Sequence, residues 1–570
     1  MSGIVRRVAT YVNHHGVGYT FRRAAEKAGE HLLGRYDRVW RRDRADEAEL
    51  TRQRKEGLDV GLISILIPVY NTRPDLLLAL AESLIAQTYA NWEACLYDGM
   101  SPREDTRAML HQIAAMDSRI RVQAGDTNEG ISGNTNKALD MARGEWIALC
   151  DHDDLLSPDA MYRIAACIRD QEPDMIYSDE DKINEAGTLH TTPHYKPDFC
   201  PDNLCHGNYV CHLMVMRRWL VEKAGRFRSA FDGSQDHDLA LRCSEHTEKI
   251  AHVPHVLYHW RTLGTSVSHQ NLQKCLDASC RAVEEHIVRM GYPGKVTREK
   301  GSIRIRYDVD EKATVDVIVV DSGDPERWKR TMFDLKTIRA DNVRFLVLSP
   351  WEASAKALGA EWVEWVNGES LYVGLNRAAE KCAADYIMVH HATVGLEEPE
   401  PLKEMIMYAQ RDDVGAVTPA LTTTMGRIVH GGFAVGVDNI AQCRGKGLPY
   451  HAGGWHGIMR TGHNVAAVSA ACFMIRRDHF IPFDERYTGG LGMVDWCLRL
   501  SARGLRHVYT PHARGVCQDS LTRRWLLLEK GPDKADAALL VENWGQVEDP
   551  CYSPCFSRRK ANYALRTDDR

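Results

Sequence analysis

The chain has 570 residues, 44% of them hydrophobic and 26% charged, with 16 cysteines and a formal net charge of −6. At about 150 residues per domain this length implies two to four units, and the charge gives no general case for nucleic-acid binding. No apolar run approaches the roughly 18 residues a membrane span needs. The N-terminus lacks the apolar core of a signal peptide, and the cysteines are scattered without a CxxC pair, so a cytoplasmic protein with reduced thiols is expected.

Residues 1–59 read as a basic helical extension. Between Met1 and Arg44 ten arginines and lysines face four acids, with Tyr19, Phe21, Leu32, Leu33, Tyr36 and Trp40 interleaved at roughly helical spacing. Two readings stand side by side. One is a helix that packs on the main body. The other is a basic amphipathic surface, residues 1–44, that meets anionic lipid peripherally on the cytoplasmic face.

From residue 61 strands and helices alternate. Strands are expected at Ile63–Val69, Trp92–Tyr97, Ile120–Gln123 and Trp146–Cys150, with helices at Pro74–Gln87, Arg103–Met116, Ile131–Arg143 and Pro158–Arg169. Apolar strands in a βαβα series imply a parallel sheet covered on both faces, with ligands at the carboxyl ends of the strands. The pattern breaks near Gly294–Asp310. A second series follows at Val315–Val320, Val343–Leu348, Tyr386–Val389 and Val414–Val417. Gly144–Asp159 resembles Ala384–Pro399, and Gln235–Arg242 resembles Gly492–Arg499, which suggests a tandem duplication.

Two acidic strings carry the chemistry. Asp151-His152-Asp153-Asp154 follows a strand, where alternate carboxylates can converge on Mg²⁺ or Mn²⁺ and substrate phosphates can complete the shell. A polar turn capping the next helix is the bland alternative. Gln235-Asp236-His237-Asp238 opens an apparent helix, where acids suit the dipole or supply a general base. Cys200, Cys205, His206, Cys211 and His212 do not follow a usual structural zinc spacing. Cys551 and Cys555 read as free thiols.

The ordered strings Ser64–Asn71, Ser83–Tyr89, Asn128–Ile131, Gly144–Asp154, Tyr177–Lys182, Asn208–Leu213, Gly233–Leu239 and Leu257–Arg261 resemble family 2 glycosyltransferases of the GT-A fold, in the bacterial surface-polysaccharide branch. The resemblance implies an α/β, Rossmann-like catalytic domain at 60–295. A second, degenerate GT-A-like domain would occupy 312–530, with a C-terminal tail at 531–570. It further implies that Pro68, Val69, Tyr70 and Asn71 line the nucleotide pocket and that Asp98 meets base or ribose. Here the string Asp98-Gly99-Met100-Ser101 departs from the family's two acids followed by Gly-Ser. By the same resemblance Asp151 and Asp153 bracket ribose, diphosphate and metal, Asp153 being the direct ligand. Asp236 is the base, and His259 and Arg261 reach the metal or diphosphate.

The implied reaction moves a sugar, with inversion, from a UDP-, dTDP- or GDP-sugar to a hydroxyl of a growing or lipid-linked glycan (O-antigen, capsule or cell wall). In the second half the acids are missing: the matching strand ends His390-His391-Ala392-Thr393, Met493 replaces Asp236, and Ser349-Pro350 stands where an acid is expected. A non-catalytic glycan-binding scaffold and a two-site polymerase are the alternatives. The first is opposed by the intact Asp151, Asp153 and Asp236, the second by the losses in the second half.

Overall fold

A computed structural model describes residues 35–263, 272–299, 301–321, 323–397, 400–438, 440–517, 523, 526–528 and 531–566. The chain forms two compact units: residues 1–199, 207–291 and 296–303, then residues 200–206, 292–295 and 304–570.

The first unit is built on nine strands: β1 (Ile63–Val69), β2 (Trp92–Asp98), β3 (Ile120–Ala124), β4 (Trp146–Leu149), β5 (Leu155–Leu156), β6 (Met175–Ile183), β7 (His190–His194), β8 (Met214–Arg217) and β9 (Ile250–Arg261). Their order is β3-β2-β1-β4-β8-β6-β9-β5, with β7 beside β6. The sheet is mixed, which corrects the all-parallel expectation. β1 to β4 pair in parallel, but β8 runs antiparallel to both β4 and β6.

Helix α1 (Arg35–Asp43) and helix α2 (Glu47–Glu56) precede the sheet. Helices α3 (Pro74–Ile85), α4 (Glu104–Met116), α5 (Gly130–Met141) and α6 (Ala160–Gln171) cover it. α3 starts where Pro74 fixes φ at the first helical position. Its Leu77, Leu80, Ala81 and Leu84 recur at helical spacing and join Ile63, Ile65, Ile67 and Val69, the alternate residues of β1, in one core. α1 belongs to the same body. Tyr36 and Val39, three residues apart, are buried, and the Trp40 ring stacks on His190 at 3.4 Å. The aromatic residues that the lipid-facing reading offers to a bilayer are thus packed on protein at positions 36 and 40. Residues 1–34 lie outside the described residues.

The second unit repeats the strand order of the first and adds a strand, His463–Val465, beside Arg506–Cys517. Its order is Glu361–Glu364, Val343–Ser349, Val315–Val320, Tyr386–His391, Cys472–Arg476, Val414–Thr422, Arg506–Cys517, Val394–Leu396, which is the order of β3 through β5 above. Residues 531–566 of the expected C-terminal tail pack into this unit. Asp536 accepts the Thr488 and Gly489 amides, Trp544 donates to Asp495, and Asp549 accepts the Val435 amide.

One buried carboxylate aligns the central strands of the first unit. Glu93 on β2 accepts from the Ser64 hydroxyl at 2.7 Å, the Arg143 amide at 2.6 Å and the Arg121 guanidinium at 3.0 Å. Burial raises its pKa, but these partners outweigh burial and hold it below the ordinary value. Glu93→Ala is expected to lower stability by about 3 kcal/mol at neutral pH, because buried donors lose their acceptor. A depressed folded pKa stabilises above the unfolded value of about 4.3 and is lost as pH falls below it. The difference between parent and Glu93→Gln should therefore be flat down to about pH 4.5 and shrink at lower pH, as read by thermal unfolding.

Candidate active site

Three loops meet at the carboxyl ends of β1, β2 and β4. After β1, Tyr70 is exposed and Asn71 turns with φ 54°. After β2, Asp98 is buried, and its Oδ1 accepts from the Ser101 hydroxyl at 2.5 Å and amide at 3.0 Å. The same hydroxyl oxygen accepts the Asn71 amide at 2.8 Å. Ser101 therefore joins the two loops expected to hold the nucleotide, a role the sequence pattern did not single out. Gly99 is required at its place: a Cβ there would sit 2.3 Å from the Asn134 side chain of α5. Pro68 is half-buried on β1 beside Tyr97 of β2.

After β4 the acids diverge in role. Asp154 is buried and accepts from Tyr258 Oη at 2.6 Å and the Arg261 amide at 2.6 Å, both on β9. Asp151 and Asp153 remain open to the cleft, with side chains 44% and 21% exposed. The Asp153 carboxylate makes no hydrogen bond among the described residues, and its nearest cationic partner is His152 Nδ1 at 3.8 Å. Desolvation, together with the charges of Asp153 and Asp236, raises the Asp151 pKa against the opposing pull of His212. Asp151 and Asp236 therefore share one field.

Asp236 lies in the first turn of helix α7 (Gln235–Ser244), where Asn208 donates to its Oδ2 at 2.7 Å. Asp238, two residues on, is committed elsewhere. It is buried between Arg242, which donates at 2.6 Å, and Arg228. Arg261 is buried as well. Its Nε and Nη1 donate to the Asp153 and Glu185 carbonyls at 2.7 and 2.6 Å, while Nη2 is buried without a partner.

His259 does not join Asp151 and Asp153. Its Nδ1 lies 2.7 Å from Asp181 and its Nε2 3.0 Å from Ser157, so both ring nitrogens are occupied. Side chains alternate across a strand. Tyr258 and Trp260 take the face that holds Asp154, and His259 takes the other, with Asp181, His190 and Tyr36. His212 stands on the site face instead, stacked on Tyr258 at 4.6 Å.

Residues 64–222 match the family model for glycosyl transferase family 2. The first unit is a family 2 glycosyltransferase domain. Its fold is GT-A, and the second unit carries the same strand order. The chain is 32% identical over 552 residues to an uncharacterized protein, y4gI, of Sinorhizobium fredii, covering 91% of this chain and 60% of that one. It is 31% identical over 541 residues to the O-antigen biosynthesis protein RfbC of Myxococcus xanthus, covering 89% of this chain and 41% of that one. The chain thus spans about half the length of these relatives. A solved structure of S. aureus TarS 1-349 with UDP-GlcNAc aligns at 17% identity and a TM-score of 0.34, over 40% of this chain and 66% of that one.

In the second unit the positions matching the transferase acids are closed. His390 and His391 are buried, burial pulls the His390 pKa down to about 4, and His391 Nδ1 lies 2.9 Å from the Thr393 hydroxyl. Met493 is fully buried, and Asp495 accepts from Arg499 at 2.9 Å, as Asp238 does from Arg242. Of the cysteines and histidines weighed as a zinc set, Cys200, Cys205 and His206 belong to the second unit and Cys211 and His212 to the transferase domain. None of the 16 cysteines is in a disulfide.

The division of labour on α7 is testable by stability alone. Asp238→Ala strands two arginines, one of them buried, and should cost about 3–5 kcal/mol. Asp236→Asn keeps shape and a polar partner for Asn208, and should change stability by less than about 0.5 kcal/mol. Equal effects in urea unfolding would contradict the assignment of Asp238 to structure and Asp236 to chemistry.

Proposed function

We propose that the transferase domain moves a sugar from a nucleoside-diphosphate sugar to a hydroxyl of a surface glycan, inverting the anomeric centre. The observation that carries this reading is the contrast on α7: Asp238 is locked between arginines, whereas among the described residues Asp236 accepts a side-chain hydrogen bond from Asn208 alone and shares a field with Asp151. A carboxylate so placed can take the proton of an acceptor hydroxyl as the oxygen attacks C1. A single displacement then needs no sugar–enzyme intermediate.

Asp151 and Asp153 would hold Mn²⁺ or Mg²⁺. They fit such a cation, because both are oxygen donors at one strand end and the Asp153 carboxylate is unengaged by hydrogen bonds. When bound, the cation offsets charge on the departing diphosphate. The loop of Pro68, Val69, Tyr70 and Asn71, with Asp98, would seat the nucleotide. The buried, unpartnered Nη2 of Arg261 is a donor left for the diphosphate. The name of the Myxococcus relative, an O-antigen biosynthesis protein, supports a surface-glycan acceptor; a lipid-linked or growing glycan met on the cytoplasmic side is part of the proposal. The second unit would bind glycan or brace the first, without turnover. Residues 1–44 would add salt-sensitive contact with anionic membranes. Among the described residues no helix is long and apolar enough to cross a membrane.

Asp153→Ala should abolish metal-dependent donor binding and turnover with the fold intact. Asp236→Asn should keep donor affinity and lose about 10²–10⁴ in rate. Donor hydrolysis and transfer assays with Mn²⁺ check both, and parent-level transfer by Asp236→Asn would show another group to be the base. Sedimentation with anionic vesicles should separate the full chain from one lacking residues 1–34; equal binding by both would remove the membrane role.

A further inference from the structure

His212 is held from three sides. Lys196 is fully buried, and its ammonium donates to the carbonyls of Cys211 and His212 at 2.6 and 2.7 Å, fixing the backbone. Tyr258 stacks flat on the imidazole, with centroids 4.6 Å apart and planes 20° apart. Glu180 on β6 lies 3.1 Å from Nδ1. Glu180 is itself buried beside His194 at 3.1 Å and Lys196 at 3.8 Å. Burial raises its pKa, but Lys196, His194 and His212 outweigh burial and keep it a carboxylate. A carboxylate only accepts, so Nδ1 is the protonated nitrogen of this contact.

The other nitrogen points at the transferase acids. Nε2 lies 3.7 Å from Asp151 Oδ2, too far for a hydrogen bond. In the neutral tautomer that Glu180 selects, Nε2 carries a lone pair. Two electron-pair donors then face each other across a gap. Metal–oxygen and metal–nitrogen bonds of about 2.0–2.2 Å can span that gap through one ion. Donation of the second ring N–H to a carboxylate is how proteins orient a metal-bound histidine.

We infer that His212 is a third side-chain ligand of the divalent cation, oriented by Glu180, alongside Asp151 and Asp153. This inference rests on the proposed metal site, but a nitrogen donor is a separate claim from a carboxylate pair. His259, the histidine indicated by sequence resemblance, cannot take this place while its nitrogens hold Asp181 and Ser157.

The test is pulsed electron paramagnetic resonance of Mn²⁺ bound to the full-length protein, with the metal alone as probe. A coordinated imidazole gives ¹⁴N modulation of the echo. The parent should show it, and His212→Ala should lose it and bind Mn²⁺ at least about 10-fold more weakly. His212→Phe, which keeps the stack on Tyr258, should do the same if removal of the ring disturbs folding. Glu180→Gln should weaken Mn²⁺ about 10-fold, as loss of an orienting partner does, and keep the modulation. His152→Ala should keep both. Parent Mn²⁺ binding that needs Asp153 but shows no ¹⁴N modulation overturns this inference and leaves the metal site standing. Modulation that survives in His212→Phe, or disappears in His152→Ala, also overturns it. Absence of any Mn²⁺ binding by the parent overturns the metal site and this ligand together.

Discussion

The Asp154 carboxylate accepts one hydrogen bond from the Tyr258 phenol and one from the Arg261 amide, and so ties the loop after β4 to β9 across the sheet. Tyr258 in turn accepts the Asp151 amide at 3.1 Å, and Arg261 donates to the Asp153 carbonyl. The two β9 residues that Asp154 holds thus also hold the backbone of Asp151 and Asp153. Desolvation and the neighbouring Asp153 and Asp151 raise the Asp154 pKa well above the ordinary value, against the help of Tyr258. The loop is stable only because these short hydrogen bonds are made. Their effect is to leave the Asp151 and Asp153 carboxylates facing the cleft without a hydrogen bond among the described residues, each with a histidine nitrogen just beyond that distance. Three acids in four residues thus divide into one that folds the loop and two that the loop presents.

A period of two decides what each strand contributes to this cleft. On β6 and β9, which pair in parallel, Glu180 lies opposite Tyr258 and Asp181 opposite His259. Glu180, Tyr258 and the stacked His212 share the face of the active site. Asp181 and His259 share the opposite face, where α1 closes over them through Tyr36 and Trp40. A one-residue shift of register would exchange the two sets.

The strand and helix positions were legible because apolar periodicity and Pro74 are local signals, and the paired acids were legible as strings. The face of a histidine was not. The string Leu257-Tyr258-His259-Trp260-Arg261 offers a histidine beside an arginine, and only the pairing of β9 with β5 and β6 shows that the ring turns away. The sequence pattern likewise shows two acids, Asp236 and Asp238, at a helix start. Which of them is free depends on Arg228, ten residues earlier in the chain and adjacent only in the fold. The mixed sheet was hidden for the same reason: β8 reads as any short apolar strand, and its direction is set by partners far away in sequence.

The duplicated unit shows which of these interactions stability maintains without chemistry. Counted from the paired strand starts Ile63 with Trp92 and Val315 with Val343, Asp98 corresponds to Ser349 and Val69 to Asp321. In the first unit the acid on the second strand binds a serine in its own loop. In the second unit the acid stands on the first strand and accepts from Ser349 at 2.9 Å and Ser354 at 2.6 Å. A carboxylate–hydroxyl pair stands at these strand ends in both units, within one loop in the first and across two strand ends in the second. The Asp238–Arg242 pair survives as Asp495–Arg499. The acids left without partners did not survive. Asp236 became a buried methionine, and Asp151 became a histidine bonded to its own turn. Clustered carboxylates repel one another and lose hydration, as the raised pKa of Asp151 records. A fold keeps such a cluster only where a substrate or cation relieves that repulsion. The cluster is present in one unit and absent from the other on the same strand order, which is the contrast on which the proposed roles of Asp151, Asp153 and Asp236 rest.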